Sequence, residues 1–207
     1  INGINFRSKN GALAGTVGTA AVALSFICAV ILVFRLAALD VEHRSIGTVF
    51  FNWLHVGDFK ADMGFVIDQI SAIMILVITG VGTLIHLFSI GYMGHDERPA
   101  KFFAYLNFFI FNMLLLVLGE NLIVMFIGWE GVGLCSYLLI GFWFTDAAKA
   151  AAGMKAFITN RIGDAGLLIG IFILYKTFGT IQFTALAASN PTLELSVGAV
   201  TMACLFL

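Results

Sequence analysis

Apolar residues run in long unbroken stretches along most of the chain, and polar residues collect in the short gaps between them. A hydrocarbon core of about 30 Å is crossed by about 20 apolar residues of helix. Residues 11–34 reach that length without a charge, and residues 69–94 do so with His86 as the only interruption. Residues 102–119 are shorter but uncharged, residues 121–145 carry one charge, Glu130, and residues 156–175 carry Arg161 and Asp164. Residues 195–207 are apolar but too few to cross. The pattern predicts five full spans and one truncated span. Only Glu120 and Asn121 separate the third span from the fourth, so those two helices must pack antiparallel.

Between the first two spans the pattern changes. Residues 49–65 read VFFNWLHVGDFKADMGF, with Gly57 and Asp58 near the middle. Gly-Asp between alternating runs is a two-residue hairpin signal. It predicts a β-hairpin lying on the membrane surface with Trp53 near the headgroups. An irregular amphipathic loop is the alternative reading.

Composition supports the membrane assignment and narrows it. The chain is 60% hydrophobic and 11% charged, with a mean hydropathy of +1.01. A soluble domain has about 45–50% apolar and about 25% charged residues. Inside a bilayer the backbone must satisfy its own hydrogen bonds, which leaves helices or a closed barrel. A barrel needs alternating segments of roughly ten residues, and the long apolar runs exclude it. The fold class is therefore all-α membrane: a polytopic transmembrane helix bundle of about six spans, with a surface β-hairpin between spans one and two.

A net charge of −1 provides no basic footprint for nucleic acid. Cys28, Cys135 and Cys204 stand singly in apolar runs, so they read as packing residues rather than metal ligands or disulfide partners. The chain starts at Ile1 and stops within an apolar stretch, which reads as a fragment of a longer membrane protein. Small residues four apart, Gly11/Gly15 and Gly166/Gly170, fit close helix packing. For orientation, Arg7, Lys9, Arg98, Lys101, Lys149 and Lys155 fall on one side, against Arg35, Arg44, Lys60 and Lys176 on the other. The excess places the start of the chain on the cytoplasmic or matrix side.

Ionisable residues inside spans are costly and point to function. Glu130 lies nine residues into its span, about 13.5 Å deep at 1.5 Å per residue. Asp164, nine residues beyond Lys155, lies about 13.5 Å from the opposite end of the next helix. Both therefore sit near the midplane, where an ion or proton in transit has lost bulk water. Asn160, Arg161 and Asp164 share about 100° of helix arc, and Arg161 and Asp164 are spaced to neutralise each other. That pair could equally be a buried ion pair that only fixes packing. Glu130 has no opposite charge on its own helix at three or four residues' distance, so it is expected to be partly protonated or partnered from another helix. His86 is expected to be an interfacial hydrogen-bonder, and Asn107 and Asn112 to bond across helices. His43, His55 and His95 lie in loops and suggest nothing. The run GWEGVG lacks the strand and the GK[ST] of a nucleotide loop, and nothing looks like a haem, flavin or iron–sulfur site.

The string IGWEGVGLCSYLLIGFWF (127–144) resembles the largest antiporter-like membrane subunit of respiratory complex I, subunit 5 in mitochondria and subunit L in bacteria. MKAFITNRIGDAG (154–166), FFAYLNFFIFNMLLLVLGEN (102–121) and the hairpin leading into FVIDQIS extend the likeness over nearly the whole chain. Related sodium/proton antiporter subunits look different after the Trp-Glu pair and at NRIGD. The resemblance implies a proton-translocating subunit of an NADH–quinone oxidoreductase, with a multi-subunit sodium/proton antiporter subunit as the alternative. It implies Glu130 as the proton-transfer residue, Arg161 and Asp164 as its supporting charged pair, and a partner lysine beyond Leu207. It divides the chain into an N-terminal region (1–101) and the start of an antiporter-like domain (102–207). By the same resemblance NADH, flavin, iron–sulfur clusters and quinone are bound elsewhere in the parent complex, and this chain binds no cofactor. Its partners are other membrane subunits and the lipid bilayer of the bacterial inner membrane or, alternatively, the mitochondrial one.

Overall fold

The computed structural model describes residues 11–40, 44–57, 59–188 and 201. The elements are α1 (Gly11–Ala37), β1 (Ile46–Val56), β2 (Phe59–Ile67), α2 (Gln69–Tyr92), α3 (Pro99–Leu118), α4 (Leu122–Ile140), α5 (Ala147–Phe178) and a short α6 (Phe183–Ala188). Five of these helices are long and apolar enough to cross a membrane, as the apolar runs predict. The sixth, truncated span falls in 195–207, which apart from residue 201 lies outside the described residues, as does Cys204.

Local chemistry sets the helix ends. Asp68 caps α2 by accepting from the Ser71 backbone N–H at 2.7 Å, and the Ser71 hydroxyl accepts from the Asp68 N–H in return. Asn121 caps α4 through Ile123 N and Val124 N, and Pro99 opens α3. Between α4 and α5 the boundaries differ from those expected. The fourth helix ends at Ile140, not near residue 145, and α5 begins at Ala147, not near residue 156. Asp146 caps the alanine-rich run that follows it. Apolarity locates the stretch within the hydrocarbon, whereas a helix continues through Lys149 and Lys155 wherever propensity and capping allow. At 32 residues, α5 is about 48 Å long, well beyond the core thickness.

Small residues let the helices approach. A Cβ on Gly15 would come within 2.8 Å of Ile90, one on Gly80 within 3.0 Å of Phe26, and one on Gly82 within 2.8 Å of Ile110. These contacts tie α1 to α2 and α2 to α3. The α4 helix lies against α3, and α5 against α4.

The hairpin forms, with β1 paired antiparallel to β2 and Val56 opposite Phe59. Gly57 takes a φ of 58°, which glycine adopts without penalty. Register slips flank Phe50 and Trp53. The hairpin docks on the α3–α4 turn. Gly64 O accepts from Glu120 N (3.0 Å), and Asp62 O accepts from the Asn121 side-chain amide (2.7 Å). On its other side the same α3–α4 turn bonds to residues 181–183, through Leu122 N to Ile181 O (3.0 Å) and Phe183 N to Glu120 O (3.2 Å). Ala61, Leu122, Leu167, Ile171 and Ile181 form a buried cluster beneath. His55, in a position that suggests no role from sequence, pairs with Asp62 at 2.7 Å across the strands.

Candidate functional site

The WEG run faces two neighbours at once. On one side, a Cβ on Gly128 would come within 2.6 Å of the Leu116 Cα, and one on Gly131 would strike the Asn112 amide. The Asn112 Nδ2 donates to Phe108 O on its own helix at 2.8 Å and reaches the buried Cys135 Sγ at 3.6 Å. Asn112 therefore bonds across helices as expected. Asn107 does not: its amide donates to Phe103 O, one turn back on α3 (2.9 Å). An amide in an apolar span without a polar neighbour turns to its own backbone.

Toward α5 the same stretch presents charge. Glu130 Oε2 is ion-paired with Arg161 Nη1. The same guanidinium nitrogen lies 3.5 Å from Asp164 Oδ2, and Asp164 Oδ1 accepts from the Trp129 indole N–H at 2.7 Å. The Arg161 guanidinium also stacks over Phe157, 4.6 Å from the ring centre. Asp164 is 7% exposed, against 25% for Glu130 and 36% for Arg161. The most enclosed carboxylate is thus the one held by two donors.

Of the two outcomes expected for Glu130, protonation or a partner from another helix, the structure shows the second. Its partner is Arg161, on the next helix; the sequence shows Arg161 only as the neighbour of Asp164. Helical spacing reports pairs along one helix, while the Glu130–Arg161 pair depends on the rotation of α5 against α4. The equal depths estimated for Glu130 and Asp164 hold, since one guanidinium reaches both. Trp129 escaped the sequence reading. An indole N–H inside a span needs an acceptor, so a Trp beside an intramembrane acid was a usable signal.

A cavity of about 810 Å³ opens beside the cluster, lined by Trp129, Ser136, Thr159, Asn160 and Asp164 among apolar neighbours. Ser136 and Thr159 donate their hydroxyl protons to the backbone of their own helices, which leaves their oxygen lone pairs free to hold water. Gly163 also lines the cavity, and a Cβ there would meet nothing within 4 Å. Chemically, two carboxylates on one permanent cation carry a net charge of −1. A single proton makes the group neutral.

His86 hydrogen-bonds, as expected, but to its own helix. It is fully buried, with Nδ1 2.8 Å from Gly82 O and its ring 6.3 Å from Phe103, while Nε2 has no partner among the described residues. Its place near the end of a span suggested exposure, but the packing of α1 and α3 over that end removes it.

Two family models match: "NADH-Ubiquinone oxidoreductase (complex I), chain 5 N-terminus" over residues 53–103, and "NADH:quinone oxidoreductase/Mrp antiporter, TM" over residues 119–207. NADH-quinone oxidoreductase subunit L of Mycobacterium tuberculosis H37Rv is 43% identical over 180 residues, 87% of this chain and 28% of that protein. The subunit L of Escherichia coli K12 is 49% identical over 140 residues, 68% of this chain and 23% of that protein. The chain thus spans less than a third of the length of these relatives. Among solved structures, the Mrp complex from Dietzia sp. shares the fold with a TM-score of 0.72 at 16% identity, covering 95% of this chain and 21% of that one.

Proposed function

The chain belongs to the antiporter-like membrane subunit family of complex I, chain 5 or subunit L, and from that premise we propose that it is part of a proton-translocating subunit of an NADH–quinone oxidoreductase. Glu130 takes up and releases the proton, while Arg161 and Asp164 set the local field. One observation carries this reading: a carboxylate–guanidinium–carboxylate cluster joins two spans beside a largely apolar cavity that Asp164, Asn160, Thr159 and Ser136 also line.

Arg161 keeps its charge at any working pH. Asp164 already has both oxygens engaged, by Trp129 and Arg161, whereas Glu130 has Arg161 as its one partner among the described residues. Glu130 is therefore the acid with an oxygen left to accept a proton. Protonation loosens its hold on the guanidinium, which then serves Asp164 alone. Water held by Ser136, Thr159 and Asn160 leads the proton to and from the cluster. NADH, flavin, iron–sulfur clusters and quinone are held by other subunits, and this chain binds none of them. The membrane is the bacterial inner membrane.

The test replaces Glu130 with Gln in the full-length subunit of the assembled complex and measures protons moved per NADH oxidised. The ratio should fall while assembly is retained; an unchanged ratio with full assembly would sink the assignment. The alternative, a subunit of a sodium/proton antiporter, draws support from the shared fold with the Mrp complex. A sodium-dependent pH response without NADH, and no co-purifying flavin or iron–sulfur subunits, would favour it.

A further inference from the structure

At the end of the bundle that carries the α2–α3 and α4–α5 connections, two cations share one aromatic ring. The Arg98 guanidinium lies 4.7 Å from the centre of the Phe144 ring, and Lys101 Nζ lies 5.5 Å from it. Neither cation has a carboxylate within ion-pair distance among the described residues, and Arg98 Nε is enclosed without an acceptor. The nearby acids are committed or turned away. Asp96 accepts from Arg98 N with one oxygen and from the Trp143 indole with the other, both at 2.9 Å. Asp146 takes Ala148 N and Lys149, the latter at 3.4 Å, and Glu97 is exposed. Arg98 is also the N-cap of α3 and supplies no side-chain acceptor there.

Beside Lys101 lies a cavity of about 230 Å³ lined by Lys101, Tyr105, Tyr137 and Phe144, several times the roughly 30 Å³ of a water molecule, and Arg98 stands over the Phe144 ring that forms part of its wall. Neither tyrosine hydroxyl has a hydrogen-bond partner among the described residues. One unpaired cation and two free phenols in the lining, with a second unpaired cation on the Phe144 wall, describe an anion site.

We propose that this cavity binds the phosphate headgroup of an anionic phospholipid, with Arg98 and Lys101 as its cationic partners and Tyr105 and Tyr137 as donors. Lipid, rather than free phosphate, follows from what surrounds the cavity. Phe108 (42% exposed) and Phe111 (57%) continue from Tyr105 along α3 at intervals of three, with rings stacked, and Leu134 (38%) stands one turn before Tyr137 on α4. These apolar tracks lead away from the cavity toward the hydrocarbon and offer a bed for acyl chains. Basic pockets between helices at the cytoplasmic level are suited to such heads, and snorkelling alone would leave no reason for both cations to converge on one ring.

The test uses the full-length protein in its assembled complex, reconstituted into phosphatidylcholine vesicles doped with diazirine-bearing phosphatidylglycerol. Photolysis and peptide mass spectrometry read the label on α3 and α4. Phosphatidylglycerol should label these segments well above diazirine-bearing phosphatidylcholine. The Arg98→Gln/Lys101→Gln variant should lower that label by about tenfold or more, and Arg98→Lys/Lys101→Arg should retain it. Equal labelling by the two lipids, or full labelling of the neutral variant, overturns the proposal. Should the neutral variant fail to assemble, competition on the wild type decides: labelling that survives excess inorganic phosphate supports a lipid site, and labelling displaced by it overturns one.

Discussion

The two sides of α4 solve opposite problems with similar residues. Toward α3, Gly128 and Gly131 remove side chains so that backbone meets backbone and the Asn112 amide. Lipid is as apolar as a leucine surface, so helix association rests on van der Waals fit and a few polar contacts. Toward α5, Gly133 and Gly163 leave space unfilled, Trp129 and Glu130 carry polarity, and a cavity remains. A charge at that depth needs an opposite charge and room for water. Tight packing on one side therefore holds the frame against which a loose, charged side can change its protonation.

The most severe way to break this contrast is Gly128→Val. The new side chain meets Leu116 backbone, which cannot rotate away, so the cost should exceed the roughly 1–3 kcal/mol of ordinary overpacking. Native gels should show little assembled complex. Next is Arg161→Met, which leaves Glu130 and Asp164 facing each other without their cation. The loss should lie near the low end of the roughly 3–5 kcal/mol for a broken buried pair, because Arg161 is 36% exposed. A lowered melting temperature in detergent, together with lost proton movement, checks it. Removing both charges, Arg161→Met with Asp164→Leu, should restore part of the stability and none of the transport. Full transport in that double variant would reduce the pair to a packing device.

Gly163→Ala should be neutral or stabilising by about 0.5–1 kcal/mol through helix propensity, since nothing lies within reach of its Cβ. A large loss there would show that the cavity side is as tightly filled as the α3 side. The smallest effect belongs to Asp146. The Ala148 N–H and Lys149 hold its carboxyl below the ordinary carboxylate range. A group depressed in the folded state stabilises above its unfolded pKa and loses that contribution as pH falls through the folded one. Asp146→Asn should therefore lower the melting temperature slightly at neutral pH, and the difference should vanish in acid.

Several of these features were legible before any coordinates. The five spans follow from apolar runs, because a bilayer allows few other structures. The hairpin follows from the Gly57-Asp58 dipeptide, and the depth of Glu130 from counting residues. The helix ends near 140 and 147 were not legible, because hydropathy marks the edge of the hydrocarbon while capping by Asp146 marks the edge of the helix. The burial of His86 was not legible for a related reason: burial at the end of a span depends on what covers it.

By itself, then, the sequence determined the membrane architecture, the antiparallel neighbours and the level at which the charges lie, since all three follow from rise per residue and local composition. Only the tertiary structure decided that Arg161 spans Glu130 and Asp164, that Trp129 holds Asp164, and that the hairpin docks on the α3–α4 turn. These depend on how one helix is rotated and set against another. That choice is made by contacts between residues far apart in the chain, and no local period records it.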